Sequence, residues 1–148
     1  MSATGLEVFD ETLQKTNIWL KDIMHELGRD NRRLAYRALR AVLHALRDRM
    51  TVEEAAHLSA ELPMLVRGIF YEQYRPTDMP VKIRDQQEFL DYVNREIADA
   101  TELTPQEAAN AVFLCLNRHL NPGQARQARD MMHESIRRLW PEARQQAA

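Results

Sequence analysis

The two halves of the chain carry the same order of apolar residues, and this internal similarity restricts the fold more than any other feature of the sequence. When the sequence is shifted by 70 positions, the segment 41–72 lies over the segment 111–142 without a gap. The matched pairs include Val42 with Val112, Leu46 with Leu116, Ala55 with Ala125, Val66 with Ile136, and Phe70 with Trp140. Because the recurring residues are mostly apolar, the similarity describes a core and indicates no particular chemistry.

Apolar residues recur at spacings of three and four, which is the pattern of amphipathic α-helices. The first stripe of this kind is Leu6, Phe9, Leu13, Thr16, Leu20, Ile23 and Leu27. Its later part also matches the second half, where Phe89, Leu90, Val93 and Ile97 lie under Trp19, Leu20, Ile23 and Leu27. No segment alternates with period two for long enough to predict a strand. The sequence therefore predicts an all-α fold, a single-domain helical bundle of six to eight helices built from two tandem repeats offset by 70 residues.

Local signals in the first half predict where its helices begin and end. Thr4 with Glu7 and Thr51 with Glu54 have the spacing of capping boxes, in which each side chain accepts an amide of the first turn. Gly28 is a natural helix end because glycine readily adopts the left-handed conformation. A second helix is expected from Asp30 or Asn31 to about Arg49. Pro63 disfavours helical geometry at the residue before it, so we expect a kink or a new helix there.

The second half carries similar signals. Proline at a first helical position predicts helix starts at Pro105 and Pro122. His133 occupies the position that Pro63 has in the first half, so the last helix is expected to be straight where its counterpart is bent.

The same reading divides the chain into consecutive parts of one helical domain. We predict a first repeat at 6–73, a linker at 74–84 that contains two prolines, a second repeat at 85–142, and a frayed tail at 143–148.

Composition restricts the function classes. The formal net charge of −2 argues against a general polyanion binder, because such domains usually carry a large positive excess. Cys115 is the only cysteine, so no intramolecular disulfide can form, which fits a reducing compartment. The first residues lack the basic and apolar segments of a signal peptide, and no apolar run reaches the roughly 20 residues of a membrane span. The chain is therefore expected to be soluble and cytoplasmic, without membrane attachment.

Several segments resemble a bacterial family catalogued as domain of unknown function 2267. The resemblance lies in the run from Ala38 to Met50, in Glu54, in Leu62-Pro63, in Arg67 and in the segment 69–72. It covers most of the chain, about 6–142, and its specific residues are in the first half. The resemblance implies a small all-helical bacterial protein, and it supplies neither an activity nor catalytic residues.

A basic stripe lies on the second predicted helix. It consists of Arg33, Arg37, Arg40, His44 and Arg47, which fall within about 80° of one another at about 100° per residue. These side chains lie opposite the apolar line of the helix, so we expect them on its outer face. They could bind an anion, an acidic partner or nucleic acid. The alternative, which we favour, is a solvated face or pairing with acids such as Glu7, Asp10, Glu53 and Glu61, because exposed charge runs usually serve solubility.

Three pairs have the i, i+3 spacing of carboxylate-bridged metal sites, namely Asp22/His25, Glu54/His57 and Asp130/His133. A di-iron bundle needs two inward Glu-x-x-His pairs and two further glutamates, so no metal or other cofactor is predicted. Cys115 lies among apolar residues and is interpreted as a small core residue. His119 is one turn further on, and no acid near it in the sequence could orient a Cys–His pair.

Tyr71 and Tyr74 precede the linker and have no aromatic counterparts in the second half. They are a candidate aromatic patch for a partner, although lining of the core or of a groove is the more common use of large aromatics.

The sequence does not predict a biochemical activity. Without a catalytic constellation, the leading hypothesis is a non-enzymatic protein-interaction module, binding another protein or itself as a homodimer. The alternative is nucleic-acid or anion binding through the basic stripe.

Overall fold

The computed structural model describes residues 2–142, which form an all-helical fold. The α-helices are α1 (Glu7–Leu27), α2 (Arg32–Asp48), α3 (Val52–Ser59), α4 (Met64–Tyr71), α5 (Gln86–Ile97), α6 (Pro105–His119), α7 (Pro122–Asp130) and α8 (Glu134–Arg137), with a short 3₁₀ helix at Pro76–Asp78. No strand occurs between residues 2 and 142. The predicted all-α fold with six to eight helices is therefore confirmed. The tail at 143–148, which was predicted to fray, lies outside the described residues.

Most helix boundaries follow from local chemistry. Thr51 and Thr104 each form a complete capping box, with Glu54 and Glu107 respectively, so two orphan amides are satisfied at the start of α3 and of α6. Asn31 caps α2 by accepting a hydrogen bond from the amide of Leu34 at 3.1 Å. Gly28 ends α1 with φ of 68°, a left-handed conformation that costs a glycine little.

The capping box predicted at the start of α1 is wrong. Thr4 donates its hydroxyl hydrogen bond to Asp10 Oδ1 at 2.7 Å, and its amide bonds the same oxygen at 2.9 Å. Leu6 occupies the cap position and has no side-chain acceptor to offer. The chain turns at Gly5, where φ is 81°, and this turn directs Thr4 towards Asp10 and away from Glu7.

The last predicted helix is broken, contrary to the expectation of a straight helix through His133. The residue has φ of −56° and ψ of 145°, which is outside the helical region and close to the −55° and 151° of Pro63. Its ring Nδ1 accepts a hydrogen bond from the Ser135 amide at 3.2 Å. A histidine cap therefore starts α8 in the same way that a proline precedes α4.

Helix α2 is the centre of the bundle and packs against α1, α4, α5 and α6. Four alanines on this helix, Ala35, Ala38, Ala41 and Ala45, are at most 1% exposed. Their small side chains let the neighbouring helices approach closely. Helix α1 also packs on α6, and α5 packs on α6 and α8. The packing therefore connects the first half of the chain to the second throughout the core.

The matched apolar positions of the two halves are buried in pairs. Val42 and Val112 are both 0% exposed, as are Phe70 and Trp140. The order of the helices is also alike, since α5 to α8 have starts that lie 70 to 79 positions after those of α1 to α4. A duplicated ancestral unit requires this burial, but the duplication itself stays a prediction. The boundaries of the two repeats at 6–73 and 85–142 and of the linker at 74–84 also stay predictions. None of the helices within residues 2–142 combines the length and apolar character needed to cross a membrane.

Candidate protein-interaction surface

The basic stripe of α2 does not lie on an outer face as expected. Arg33 is exposed and Arg37 and Arg40 are half-buried, but His44 and Arg47 are each only 2% exposed. The prediction of an outward stripe is therefore wrong for its last two members. The physical reason is that α4 and α5 pack against α2 and cover this side of it.

His44 and Arg47 cap the carboxyl end of α4. The last carbonyl groups of a helix have no intrahelical donor, so a buried helix end needs one from elsewhere. His44 Nε2 donates to the carbonyl oxygen of Ile69 at 2.8 Å. Arg47 Nη1 donates to the carbonyl oxygens of Phe70 and Glu72 at 2.8 and 2.7 Å. These bonds attach the end of α4 to the middle of α2.

Arg37 and Arg40 connect α2 to α5 and to the end of α4. Arg37 donates to the carbonyl oxygen of Glu96 at 2.9 Å and pairs with Asp99, and this pairing lowers the pKa of Asp99. Arg40 pairs with Glu96 and, at 2.8 Å, with Glu72, and the hydrogen bond from Arg40 holds the pKa of Glu72 below its usual range.

Glu96 Oε2 also lies 2.8 Å from His44 Nδ1. Pairing with acids was the favoured interpretation of the stripe, but the acids are not those named from the sequence. They come from α5 and the ends of α4 and α5, which packing places beside α2.

In the second half, side-chain amides of α6 donate to the carbonyl groups that follow α8. Asn117 Nδ2 donates to the carbonyl oxygen of Pro141 at 2.8 Å, and Asn110 Nδ2 donates to that of Leu139 at 3.4 Å. These asparagines match Arg47 and Arg40 at the offset of 70. In both halves, polar residues of the long central helix satisfy the carbonyl groups near the end of the last short helix. The stripe is therefore part of the internal framework at all of its members except Arg33.

The candidate aromatic patch is half-buried and is packed against the same framework. Tyr71 forms a 2.8 Å hydrogen bond with Ser59 Oγ, and its ring lies 5.7 Å from that of Tyr74. The Arg47 guanidinium lies over the Tyr74 ring at 4.9 Å. Burial raises the pKa of Tyr74, whose hydroxyl is buried and has no partner among the described residues. These tyrosines line the side of the core, which is the alternative that the sequence analysis favoured.

A cluster of exposed apolar side chains lies instead at the amino-terminal end of α1. Leu6, Phe9 and Leu13 are 51%, 46% and 37% exposed. They continue the stripe that is buried further along the helix, where Thr16 and Leu20 enter the core. The first two turns of α1 therefore extend past the part of the bundle that covers the rest of this stripe.

A groove runs beside these side chains between α1, α2 and α4. It has a volume of about 360 Å³. Its lining is mostly apolar and includes Leu13, Leu20, Tyr36, Leu65, Gly68 and Ile69. A Cβ atom added at Gly68 would meet no other atom within 4 Å, so the glycine leaves the groove open at that point. The residues Leu6, Phe9 and Leu13 together with this groove are named the α1 surface below.

Sequence reasoning missed the α1 surface because it treated the apolar stripe from Leu6 to Leu27 as one uniform side of the helix. One signal could have found it. The match between the halves begins near Trp19 and Phe89, and α5 begins only at Gln86. The two turns at the start of α1 thus have no counterpart in the second half, and no equivalent packing partner was to be expected for them.

A family model described as uncharacterized conserved protein (DUF2267) matches residues 16–139. This match spans well over half of the chain. No curated protein matches the chain.

Proposed function

We propose that this chain, which belongs to the DUF2267 family, is a non-enzymatic protein-interaction module. In this proposal it forms a homodimer through the α1 surface. The observation that carries the proposal is the exposed apolar stripe at the start of α1, which borders an apolar groove. Clustered exposure of large apolar side chains beside a groove is typical of interaction sites, whereas single exposed apolar residues need no explanation.

The burial available at this surface favours a partner. Leu6, Phe9 and Leu13 lie on one side of α1 at spacings of three and four, which is how an amphipathic helix presents anchors to a groove. Complete burial of one such side chain contributes about 1.5–3 kcal/mol relative to leaving it exposed. Three partly exposed anchors and the walls of the groove therefore provide enough apolar surface for a specific contact.

A second copy of this chain is the partner that the shape favours. The same surface offers both a protruding set of side chains and, next to it, a recess. In a twofold dimer each partner presents the same patch, so the Phe9 side chain of one copy can enter the groove of the other, and the reverse contact forms at the same time. The recess is bordered by Tyr36 and Leu65, which are themselves partly exposed and would be covered by this contact.

Other features support the absence of catalysis and a cytoplasmic location. Cys115 is 0% exposed, and burial raises the pKa of its thiol, so it is a poor nucleophile. A single cysteine fits a reducing compartment. The alternative, anion or nucleic-acid binding by the basic stripe, has weaker support because four of its five side chains already bond carboxylates or carbonyl groups.

The test is the oligomeric state of three proteins by light scattering and sedimentation over a range of concentrations. The wild type is expected to be a dimer and Phe9→Glu a monomer, because a buried glutamate would lose its hydration without a partner. Ile18→Glu is the matched control. Ile18 is 44% exposed on the same helix. It lies nine positions after Phe9 and therefore points to the opposite side of the helix. It should remain a dimer.

A second variant tests the groove without weakening the fold. Gly68→Leu places a side chain in open space within a helix, where replacing glycine is expected to stabilise the monomer by up to about 1 kcal/mol. It should nevertheless abolish dimerisation by filling the groove. A monomeric wild type at every concentration, or dimers that persist in both Phe9→Glu and Gly68→Leu, would contradict the proposal.

A further inference from the structure

Three side chains with different donor atoms meet between α1 and α6. They are Asp22, Cys115 and His119, and one ligating atom of each lies within 4.8 Å of the other two. His119 Nε2 is 2.5 Å from Asp22 Oδ2. No acid lies near Cys115 and His119 in the sequence, since Asp22 is 97 positions from His119 and reaches it only through the packing of α1 on α6.

This combination of donors suits a zinc-class cation. Zn²⁺ binds cysteine sulfur at about 2.3 Å, histidine nitrogen at about 2.0–2.1 Å and carboxylate oxygen at about 2.0–2.2 Å, in tetrahedral geometry. Ligand atoms at such distances are separated by roughly 3–4 Å from one another. The His119 and Asp22 atoms are closer than this, at 2.5 Å, and all three donors lie within 4.8 Å, so small side-chain rotations would place them around one ion.

We propose that Asp22, Cys115 and His119 form a binding site for a divalent zinc-class ion, with water as the fourth ligand. The site is built into the bundle and is separate from the α1 surface. Cys115 and His119 are one helical turn apart on α6, an i, i+4 pair that presents both donors to one side. Asp22 faces them from α1.

Neighbouring groups hold two of the three ligands in orientation, as the second layer of a metal site does. The ring of Trp19 stacks on that of His119, with centroids 5.1 Å apart and an angle of 18° between the planes. Arg118 lies 3.7 Å from Asp22 Oδ1, which leaves Oδ2 directed at His119. Arg118 is in turn fixed by Glu26 at 2.5 Å.

The exposure of the ligands also fits this assignment. The side chains of Asp22 and His119 are 27% and 23% exposed, so an ion can enter from solvent, whereas Cys115 lies behind them with no exposure. Burial raises the pKa of the Cys115 thiol, which donates a weak 3.7 Å hydrogen bond to the Trp19 carbonyl. The ion must displace the thiol proton, so the raised pKa of Cys115 works against binding, and the geometry of the three donors carries the assignment.

A catalytic Cys–His–Asp arrangement explains the same residues less well. A nucleophilic thiolate must touch its substrate, and the sulfur of Cys115 is fully covered. A small ion needs far less room than an acyl or phosphoryl substrate, and small side-chain rotations bring the donors to it.

The test uses chelator-treated full-length protein titrated with Co²⁺ and, separately, with Zn²⁺. We expect one Co²⁺ per chain with a thiolate-to-cobalt charge-transfer absorption in the near ultraviolet and displacement of the cobalt by Zn²⁺. Cys115→Ala should lose this absorption. Asp22→Asn and His119→Gln should weaken Zn²⁺ binding by about tenfold or more in calorimetry. His57→Gln, which alters an exposed histidine in another helix, should bind Zn²⁺ as the wild type does.

Far-ultraviolet circular dichroism and thermal melting establish that each variant is folded. If Cys115→Ala fails to fold, Asp22→Asn still tests the site, because Asp22 is partly exposed. Cobalt binding without the charge-transfer absorption, or equal weakening by His57→Gln and His119→Gln, would overturn the proposal. Rapid alkylation of Cys115 at neutral pH that Zn²⁺ does not slow would also overturn it and would indicate a reactive thiol instead.

Discussion

Arg47 carries a charge that the sequence places on a helix surface and the fold places in the interior. Its Nε donates to Asp48 Oδ1 at 2.7 Å, and its Nη1 donates to two carbonyl oxygens. Both members of the Arg47–Asp48 pair are at most 5% exposed. The pattern on α2 correctly separates its apolar line from its polar line. It cannot show that a second layer of elements covers the polar line, because those elements come from 23 to 62 positions away.

Replacing Arg47 with methionine is expected to lower the free energy of unfolding by about 3–5 kcal/mol. The change keeps an apolar stem but removes the charged partner of the buried Asp48 carboxylate and the donor to two carbonyl groups, which is costly. Arg33→Met on the same helix is the control and should change stability by no more than about 0.5 kcal/mol, since Arg33 is exposed. Urea denaturation measures both. Equal effects of the two substitutions would contradict the internal role of Arg47.

Tyr92 gives the folded protein a dependence on alkaline pH. Burial, and then a 2.5 Å hydrogen bond to Asp48, raise the pKa of Tyr92 to about 12. An unfolded tyrosine ionises near pH 10. Because the folded pKa is higher, the stabilisation is complete below about pH 10 and is lost as the pH rises towards about 12.

Tyr92→Phe should therefore flatten the decline in stability between about pH 10 and pH 12, and it should cost about 1–3 kcal/mol at neutral pH because Asp48 loses a donor. Urea denaturation at a series of pH values checks both effects. Tyr36→Phe alters a partly exposed tyrosine and should retain the decline. If the two variants showed the same pH profile, the Tyr92–Asp48 bond would not be its source.

At the scale of the helix, boundaries set by local chemistry were predictable and those set by neighbours were not. Proline at a first position and the threonine–glutamate spacing identify the starts of α3, α6 and α7. The break at His133 was missed because a histidine has no fixed backbone angle, and its ring became a cap only in the folded context. The uncovered start of α1 was missed because periodicity shows which residues share a side and not where the covering helices end.

The capping box of α3 should contribute measurably to stability. In Thr51→Ala, the Glu54 amide loses its 3.1 Å hydrogen bond to Thr51 Oγ1, and the expected loss is about 1 kcal/mol. Thr4→Ala is a useful comparison because the predicted box does not form there, so a loss within about 0.5 kcal/mol is expected. Thermal melts of both variants measure these losses of stability. A larger loss in Thr4→Ala than in Thr51→Ala would contradict the prediction.

For the whole molecule, the sequence predicted the helical class, and most of the residues in its apolar stripes lie in the core. It could not predict how the halves fit together. Helix α2 packs against α5, and α1 packs against α6, so each half is covered by the other. Ion pairs such as Arg29 with Glu107 and Arg118 with Glu26 also connect the halves. We therefore expect the two halves to fold as one cooperative unit.

A chain cut between residues 73 and 74 tests this dependence. Fragment 2–73 alone is expected to have little helix, because it exposes the sides of α1 and α2 that α5 and α6 cover, and most helical stability in proteins comes from such packing. Mixing it with fragment 74–148 should restore much of the helical circular dichroism. Cooperative thermal unfolding of fragment 2–73 by itself would show instead that each half folds independently.

The contacts of the Arg47 guanidinium also restrict which amino-acid substitutions the protein tolerates at this position. Lysine is the usual conservative replacement for arginine, yet its single ammonium group cannot match a planar head that reaches Asp48 on one side and two carbonyl groups on the other. Arg67, which bonds the carbonyl oxygens of Ser59 and Leu62, has the same requirement. A chain whose helices are joined in this way should tolerate lysine poorly at such positions, and its lysines are confined to 15, 21 and 82.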